Sequence, residues 1–205
     1  VFALLFSIPL SVFIDTFAAF DKAWIIPHSI IPTRLFGVAT FEVWWFGFWW
    51  VFFTVLFYEY FFDHGKRGDR FPKTYRNLNY FFFALVFLTA ILFIFYPNSL
   101  IVPYFYFIIS ITAVVIPLVL FLLKFPRFLG RFTIVAFYFF FVLLLFELVA
   151  LKRGQWIFPG EHYIGWVTLF GQGFPIEEFI FWCLCATPAL LAYYEFFADD
   201  RKLTK

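Results

Sequence analysis

"FTIVAFYFFFVLLLFELVAL", Phe132 to Leu151, runs for about 20 residues with one charged side chain, Glu147. An apolar stretch of that length crosses about 30 Å of hydrocarbon as a helix. Five further runs read the same way, at about 1–15, 36–62, 80–96, 100–123 and 174–197. The rest of the composition fits. Hydrophobic residues make up 64% of the chain and aromatic ones 28%, whereas a soluble domain is about half apolar and a quarter charged. The expected fold class is therefore all-α, a polytopic transmembrane helical bundle of six spans forming one domain, 1–205. The chain opens at Val1 and contains no Met, so an upstream segment is expected, with room for a seventh helix. The opening run has neither a basic leader nor a small-residue cleavage site, so it is not read as a signal peptide.

Orientation follows from Lys and Arg, which accumulate on the cytoplasmic side of a membrane. One face collects Lys66, Arg67, Arg70, Lys73, Arg76, Lys124, Arg127, Arg131, Arg201, Lys202 and Lys205; the other has Lys22, Arg34, Lys152 and Arg153. This places the 63–79 loop and the C-terminus in the cytoplasm, with a prokaryotic cell membrane as the expected location. The 63–79 charges then read as a membrane anchor, and no nucleic-acid partner is expected. Cys183 and Cys185 diverge by about 200° on an α-helix and cannot bridge. His28, His64 and His162 show no metal-ligand spacing, so no metal is expected.

The chain also repeats itself. "ATFEVWWFGFWW" (39–50) aligns with "FPIEEFIFWCLC" (174–185), setting Glu42 beside Glu177. With one residue of slippage "LFYEYFFD" (56–63) then falls on "AYYEFFAD" (192–199), and Glu59 meets Glu195. Upstream, "AWIIP" (23–27) matches "QWIFP" (155–159), pairing Trp24 with Trp156. Each unit reads as a helix, an outer loop with Trp-Ile-x-Pro, and a long helix entered through a Phe-Gly turn and a glutamate. Approximate repeats thus cover 1–79 and 100–205, joined by helix 80–96. The matched helices enter from the same face, which makes the repeat parallel.

Five acids fall at one depth on this scheme. Glu42, Glu177 and Glu178 sit in the first turns of spans leaving the outer face, and Asp15 and Glu147 in the last turns of spans reaching it. Intramembrane acids are costly and face the bundle interior, pair, or hold a proton. At α-helical offsets of three, four and seven, Glu42 shares a face with Trp45, Phe46 and Trp49, and Glu178 with Phe181, Trp182 and Cys185. Burial against apolar rings disfavours a charged carboxyl group, and a second acid nearby disfavours it further. One acid can then keep its proton while another acts as a base, and the ring faces can stabilise a cation.

The "FPIEEFIFW" segment, the Trp-Ile-x-Pro loop before it, the duplication and the span count resemble the integral-membrane lycopene cyclase family of bacterial heterodimeric, archaeal and fungal type. The specific core of the resemblance is Pro175-Ile176-Glu177-Glu178. Thr40-Phe41-Glu42-Val43 in the first repeat keeps one glutamate and lacks the proline and the second acid. What the resemblance implies is a carotenoid cyclase, an isomerase-type enzyme. An acid protonates the terminal double bond of an acyclic ψ-end, a neighbouring double bond closes on the carbocation, and proton loss leaves an ionone-type ring. Nothing is oxidised overall, so no cofactor is expected. Glu178 is then the expected proton donor, flanked by Phe181 and Trp182, with Glu177 or Glu42 as base or charge stabiliser. Glu147, Asp15, Trp45, Trp49, Trp24 and Trp156 fall around them as candidates to support those acids or to bind substrate. The implied partners are a carotenoid held within the bilayer and the membrane lipids.

Other classes are weaker fits. A retinal protein needs a mid-span lysine, a polyprenyl transferase needs aspartate-rich diphosphate motifs, and a soluble-type flavin cyclase needs a Gly-x-Gly-x-x-Gly turn after a strand. The alternatives that stay open are a proton-coupled transporter and a non-catalytic carotenoid-binding subunit.

Overall fold

A computed structural model describes residues 2–62 and 73–198 of the chain. Among them are six helices long and apolar enough to cross a membrane. They are α1 (Phe2–Asp21), α2 (Phe41–Phe62), α3 (Lys73–Phe95), α4 (Phe105–Lys124), α5 (Leu129–Lys152) and α6 (Glu178–Ala198). Their outward faces are as apolar as their packed ones: Phe53, Phe81, Phe83, Phe137 and Phe141 are all exposed. A helix that is hydrophobic all round is at home in lipid, and the fold is an all-α polytopic bundle.

The bounds differ from several of the expected spans, and residues 100–104, expected to open a span, precede α4. The run 36–40 and residues Phe174 and Pro175 are not helical; they belong to two small hairpins, β1–β2 (Arg34–Leu35 with Ala39–Thr40) and β3–β4 (Trp166–Leu169 with Gln172–Pro175). Helix α1 continues past residue 15 to Asp21, through a segment with no Pro or Gly to stop it. Helix α3 starts at Lys73, so polar residues expected in a loop are helical. The remainder of the 63–79 loop, at 63–72, and the tail from 199 lie outside the described residues.

The matched segments of the sequence are arranged as pseudo-two-fold counterparts, α1 answering to α5 and α2 to α6. Both α1 and α5 end in a left-handed residue, Lys22 (φ +59°) and Gly154 (φ +65°). Both are closed by the same kind of bond: Ala23 N–H donates to Ala18 O, and Gln155 N–H to Ala150 O. Each hairpin turns on Leu-Phe-Gly, with Phe36 and Gly37 at φ +51° and +73°, and Phe170 and Gly171 at +49° and +76°. Two successive positive φ values define the type I′ turn that suits the strand twist. Ile25 and Ile157, counterparts in the two repeats, exchange both backbone hydrogen bonds at 2.9 Å. At the opposite end of the bundle Tyr58 donates to Glu195 and Tyr194 donates to Glu59. A residue paired with its own counterpart, and a contact that recurs with its partners swapped, are the marks of a two-fold interface.

One register difference separates the halves. Glu42 to Tyr58 is one residue shorter than Glu177 to Tyr194. Helix α2 is α-helical throughout, whereas α6 opens as a π-helix over Glu178–Cys185. The wider i→i+5 turn absorbs the additional residue, so the sequence slippage has a physical location. Helix α6 also ends in a π segment, Tyr194–Ala198, beyond the stretch that sets the register, and α4 contains another, Ser110–Val115, just before Pro117. The proline ring leaves the carbonyl four residues back without its helical donor, and Tyr193 O–H supplies one to Ala113 O at 2.9 Å.

Candidate functional site

Two acid–tryptophan pairs anchor the hairpin end of the bundle. Asp15 on α1 accepts from Trp24 Nε1 at 3.2 Å, and Glu147 on α5 accepts from Trp156 Nε1 at 2.8 Å. In both cases the partners are nine residues apart: the helix carries the acid, and the loop that follows turns back to lay an indole over it. The acids lie more than a turn before their helix ends, deeper than the last-turn positions expected. Asp15 Oδ2 and Glu147 Oε2 are buried with no hydrogen-bond donor among the described groups. A buried, unpaired carboxylate oxygen is expensive, so the Asp15 pair is chemically incomplete on one side, while Glu147 has the carboxyl group of Glu178 beside it.

The second half adds what the first lacks. Glu178, at the start of the π segment of α6, accepts a hydrogen bond from Tyr106 O–H on α4. Its carboxyl group neighbours that of Glu147, and Cys183 lies beside both. Val43 occupies the corresponding place in the first repeat, directly after Glu42 as Glu178 follows Glu177.

Asp15 and Glu178 both face one cavity of about 200 Å³. Trp24, Trp50, Trp156, Trp182, Tyr106 and Phe46 supply its aromatic walls, and Ser7, Ser11 and Gly47 its small ones. A Cβ added at Gly47 would come within 3.2 Å of Ser11 Oγ, so a larger residue there would press on the Ser11 side chain where α1 and α2 pack. Above the cavity the two Trp-Ile-x-Pro loops cross at the Ile25–Ile157 bridge, and Ile26 and Phe158 close the roof. That roof is stapled to the end of α1. Asp21 accepts from Phe105 N–H and bonds His162 Nδ1 at 3.2 Å, while Tyr163 O–H reaches Ala23 O at 2.8 Å. Burial pushes the Tyr163 phenol up to about 12, so it stays a neutral donor. Gly160 packs so closely on Lys22 O that a Cβ would sit 2.7 Å from it.

The structure divides the sequence candidates into two groups. Asp15, Glu178, Trp24, Trp156 and Trp182 line the cavity, with Glu147 behind Glu178. Glu42 and Glu177 do not line it. Glu42 accepts from Ile30 N–H at 2.7 Å, Ile31 N–H at 3.0 Å and Ser29 O–H at 2.8 Å, and Glu177 accepts from Ile164 N–H at 2.7 Å. Each glutamate clamps the loop that precedes its hairpin. Trp45 is exposed, and Trp49 packs edge-on against it on the outer side of α2. Phe181 lies against Phe107 instead of the cavity. α-Helical offsets misplace Phe181 because residues 178–185 follow the wider π spiral, which brings Cys183 near Glu178.

Tyr106, Gly47 and the two serines were absent from the sequence reading. In "PYFYF", Tyr106 is one ring among many, and its bond to Glu178 spans 72 residues of chain. Among the described residues, no three His, Cys, Asp or Glu side chains converge as a metal site would require. No protein-family model, characterised protein or solved structure matches this chain.

Proposed function

We propose that the chain is a carotenoid cyclase of the lycopene cyclase type, closing acyclic ψ-ends into ionone-type rings by acid–base chemistry. The observation that carries this reading is the cavity: two acids, Glu178 and Asp15, facing a ring-sized space whose other walls are aromatic and apolar apart from Ser7 and Ser11. An engineered cavity of about 150 Å³ holds one benzene, so about 200 Å³ suits a single cyclising end group.

The chemistry needs one proton in and one proton out. Glu178 gives its proton to the terminal double bond, and Tyr106 holds the carboxyl group in place as it ionises. The indole faces of Trp24, Trp50 and Trp182 stabilise the carbocation while the second double bond closes on it. Asp15, on the other wall, removes a proton from the ring cation, with its free Oδ2 as the acceptor. Substrate and product have the same formula. One turnover leaves the proton on Asp15 and Glu178 ionised, so the cycle closes when Asp15 releases its proton and Glu178, with Glu147 beside it, regains one.

Buried acids at both ends of the bundle also fit a proton-coupled transporter. Against that reading, the rings of Phe2, Phe6, Phe132 and Phe139 fill the core between the two ends with apolar packing. Expression in a lycopene-accumulating bacterium, with pigments separated by chromatography, tests the proposal. New cyclic carotenoids are expected; unchanged lycopene beside well-expressed protein overturns it. Cysteine labelling from each side of the membrane tests the associated orientation, with the C-terminus expected in the cytoplasm.

A further inference from the structure

A second hollow lies outside the cavity, on the membrane-facing side between α2 and α5. It has a volume of about 640 Å³, and its walls include Phe53, Leu56, Phe57, Tyr60, Tyr138 and Val142. Two residues, Phe46 and Trp50, belong to both spaces. Phe46 stacks on Phe146 with ring centres 4.5 Å apart and planes 9° from parallel, and Trp50 leans on Trp182 at 4.7 Å. These four rings form the partition between an outer groove and the acid-bearing cavity. The groove follows α2 from Phe46 to Phe61, a rise of roughly 22 Å at 1.5 Å per residue.

We infer that this groove holds the uncyclised remainder of a long, linear polyene while its end group crosses the Phe46–Trp50 partition into the cavity. The inference rests on the proposed cyclase reading and names how that site takes its substrate. Three observations select the occupant. The cavity has room for one ring-sized group, so most of a tetraterpene must lie outside it. The α2–α5 groove shares walls with the cavity at Phe46 and Trp50. Its lining offers successive aromatic faces, Trp49, Phe53, Phe57 and Phe61, along one helix, suiting a flat conjugated chain. A phospholipid acyl chain would also meet an apolar surface there, but it has no reason to be aligned with the partition.

The test compares substrates that share one ψ-end and differ in length, a linear tetraterpene and a short acyclic isoprenoid hydrocarbon. Leu56→Trp and Val142→Trp narrow the groove from two exposed positions outside the acid site. In purified protein the double variant should lower kcat/KM for the tetraterpene about tenfold or more, and leave the short substrate within about twofold. The polyene absorption change on binding to Glu178→Gln protein should weaken to a similar extent when the groove changes are added. Equal losses on both substrates, or none on either, would overturn the inference. Wild-type protein that binds the tetraterpene in a groove-dependent way yet cyclises neither substrate would sink the cyclase reading and leave the groove assignment standing.

Discussion

Asp15 and Glu147 hold the same station in the two halves of the molecule, each buried under its own tryptophan. Around them the halves part company. In the second half Glu147 has a neighbouring acid, Glu178, and Tyr106 to orient it; in the first half the place of Glu178 is taken by Val43. The first half gives space instead. Ser7 and Ser11 stand where α5 carries Phe139 and Leu143, and with Gly47 they open the cavity beside Asp15. The two halves are frames of one kind, and the differences between them make one cavity with an acid from each half. A single asymmetric cavity therefore draws on both repeats.

The sharpest way to break this comparison is at the unmatched acid. Glu178→Gln keeps shape and hydrogen bonding but removes the transferable proton, so cyclisation at matched protein level should fall by about 10²–10⁴-fold, with membrane insertion intact. Full activity would make Glu178 structural. The matched acids come next. Asp15→Asn should cost on the order of 10²-fold as loss of the base, and Glu147→Gln about tenfold, because Glu147 acts through Glu178. Identical losses in turnover would mean that the two stations do one job.

Smaller effects test the symmetric contacts, where the halves should behave alike. Tyr58→Phe and Tyr194→Phe each remove one of the reciprocal donors to Glu195 and Glu59. Each should lower stability by about 1–3 kcal/mol, read as thermal midpoint in detergent, with turnover per folded molecule unchanged. A large difference between the two would argue against the two-fold reading of that end. The loop clamps should differ modestly. Glu177 is fully buried while Glu42 is partly exposed, so Glu177→Gln should destabilise by about 1–2 kcal/mol and Glu42→Gln by about 0.5–1 kcal/mol. Limited proteolysis of the 153–165 and 23–33 loops would follow the loosening. A turnover loss at Glu177 as deep as that at Glu178 would restore it to the chemistry.

Much of this architecture was legible in the sequence because lipid imposes so strong a rule on composition. Runs such as 132–151 declare a span by themselves, and Trp24 and Trp156 stood out through the repeated Trp-Ile-x-Pro loops. The Phe-Gly turns are legible as entries to α2 and α6, but the strands beside them are not, and the apolar ends of the hairpins, 36–40 and Phe174–Pro175, read as the first turns of those helices. What distinguishes them is a backbone state, positive φ at Phe and Gly, that hydropathy does not encode. The adjacent acids Glu177 and Glu178 drew attention together, yet one holds a loop and the other faces the cavity. Neighbours on a helix point about 100° apart, and only the tertiary packing says which direction is inward. Tyr106 was illegible for the same reason, since its meaning is conferred by a helix 72 residues away.

The π turn of α6 has a bearing on how such a molecule diverges. An additional residue in an α-helix would rotate everything beyond it by about 100° and break one end of the bundle or the other. Confined to Glu178–Cys185, it does neither: Glu177 still reaches its loop, and Tyr194 and Glu195 still meet Glu59 and Tyr58. The rotation is trapped in a short stretch of the second copy, between two fixed points, and that stretch carries Glu178, Trp182 and Cys183. A duplicated membrane protein can thus become inventive in one place while its outline stays a faithful copy, and the insertion of a single codon suffices as the raw material.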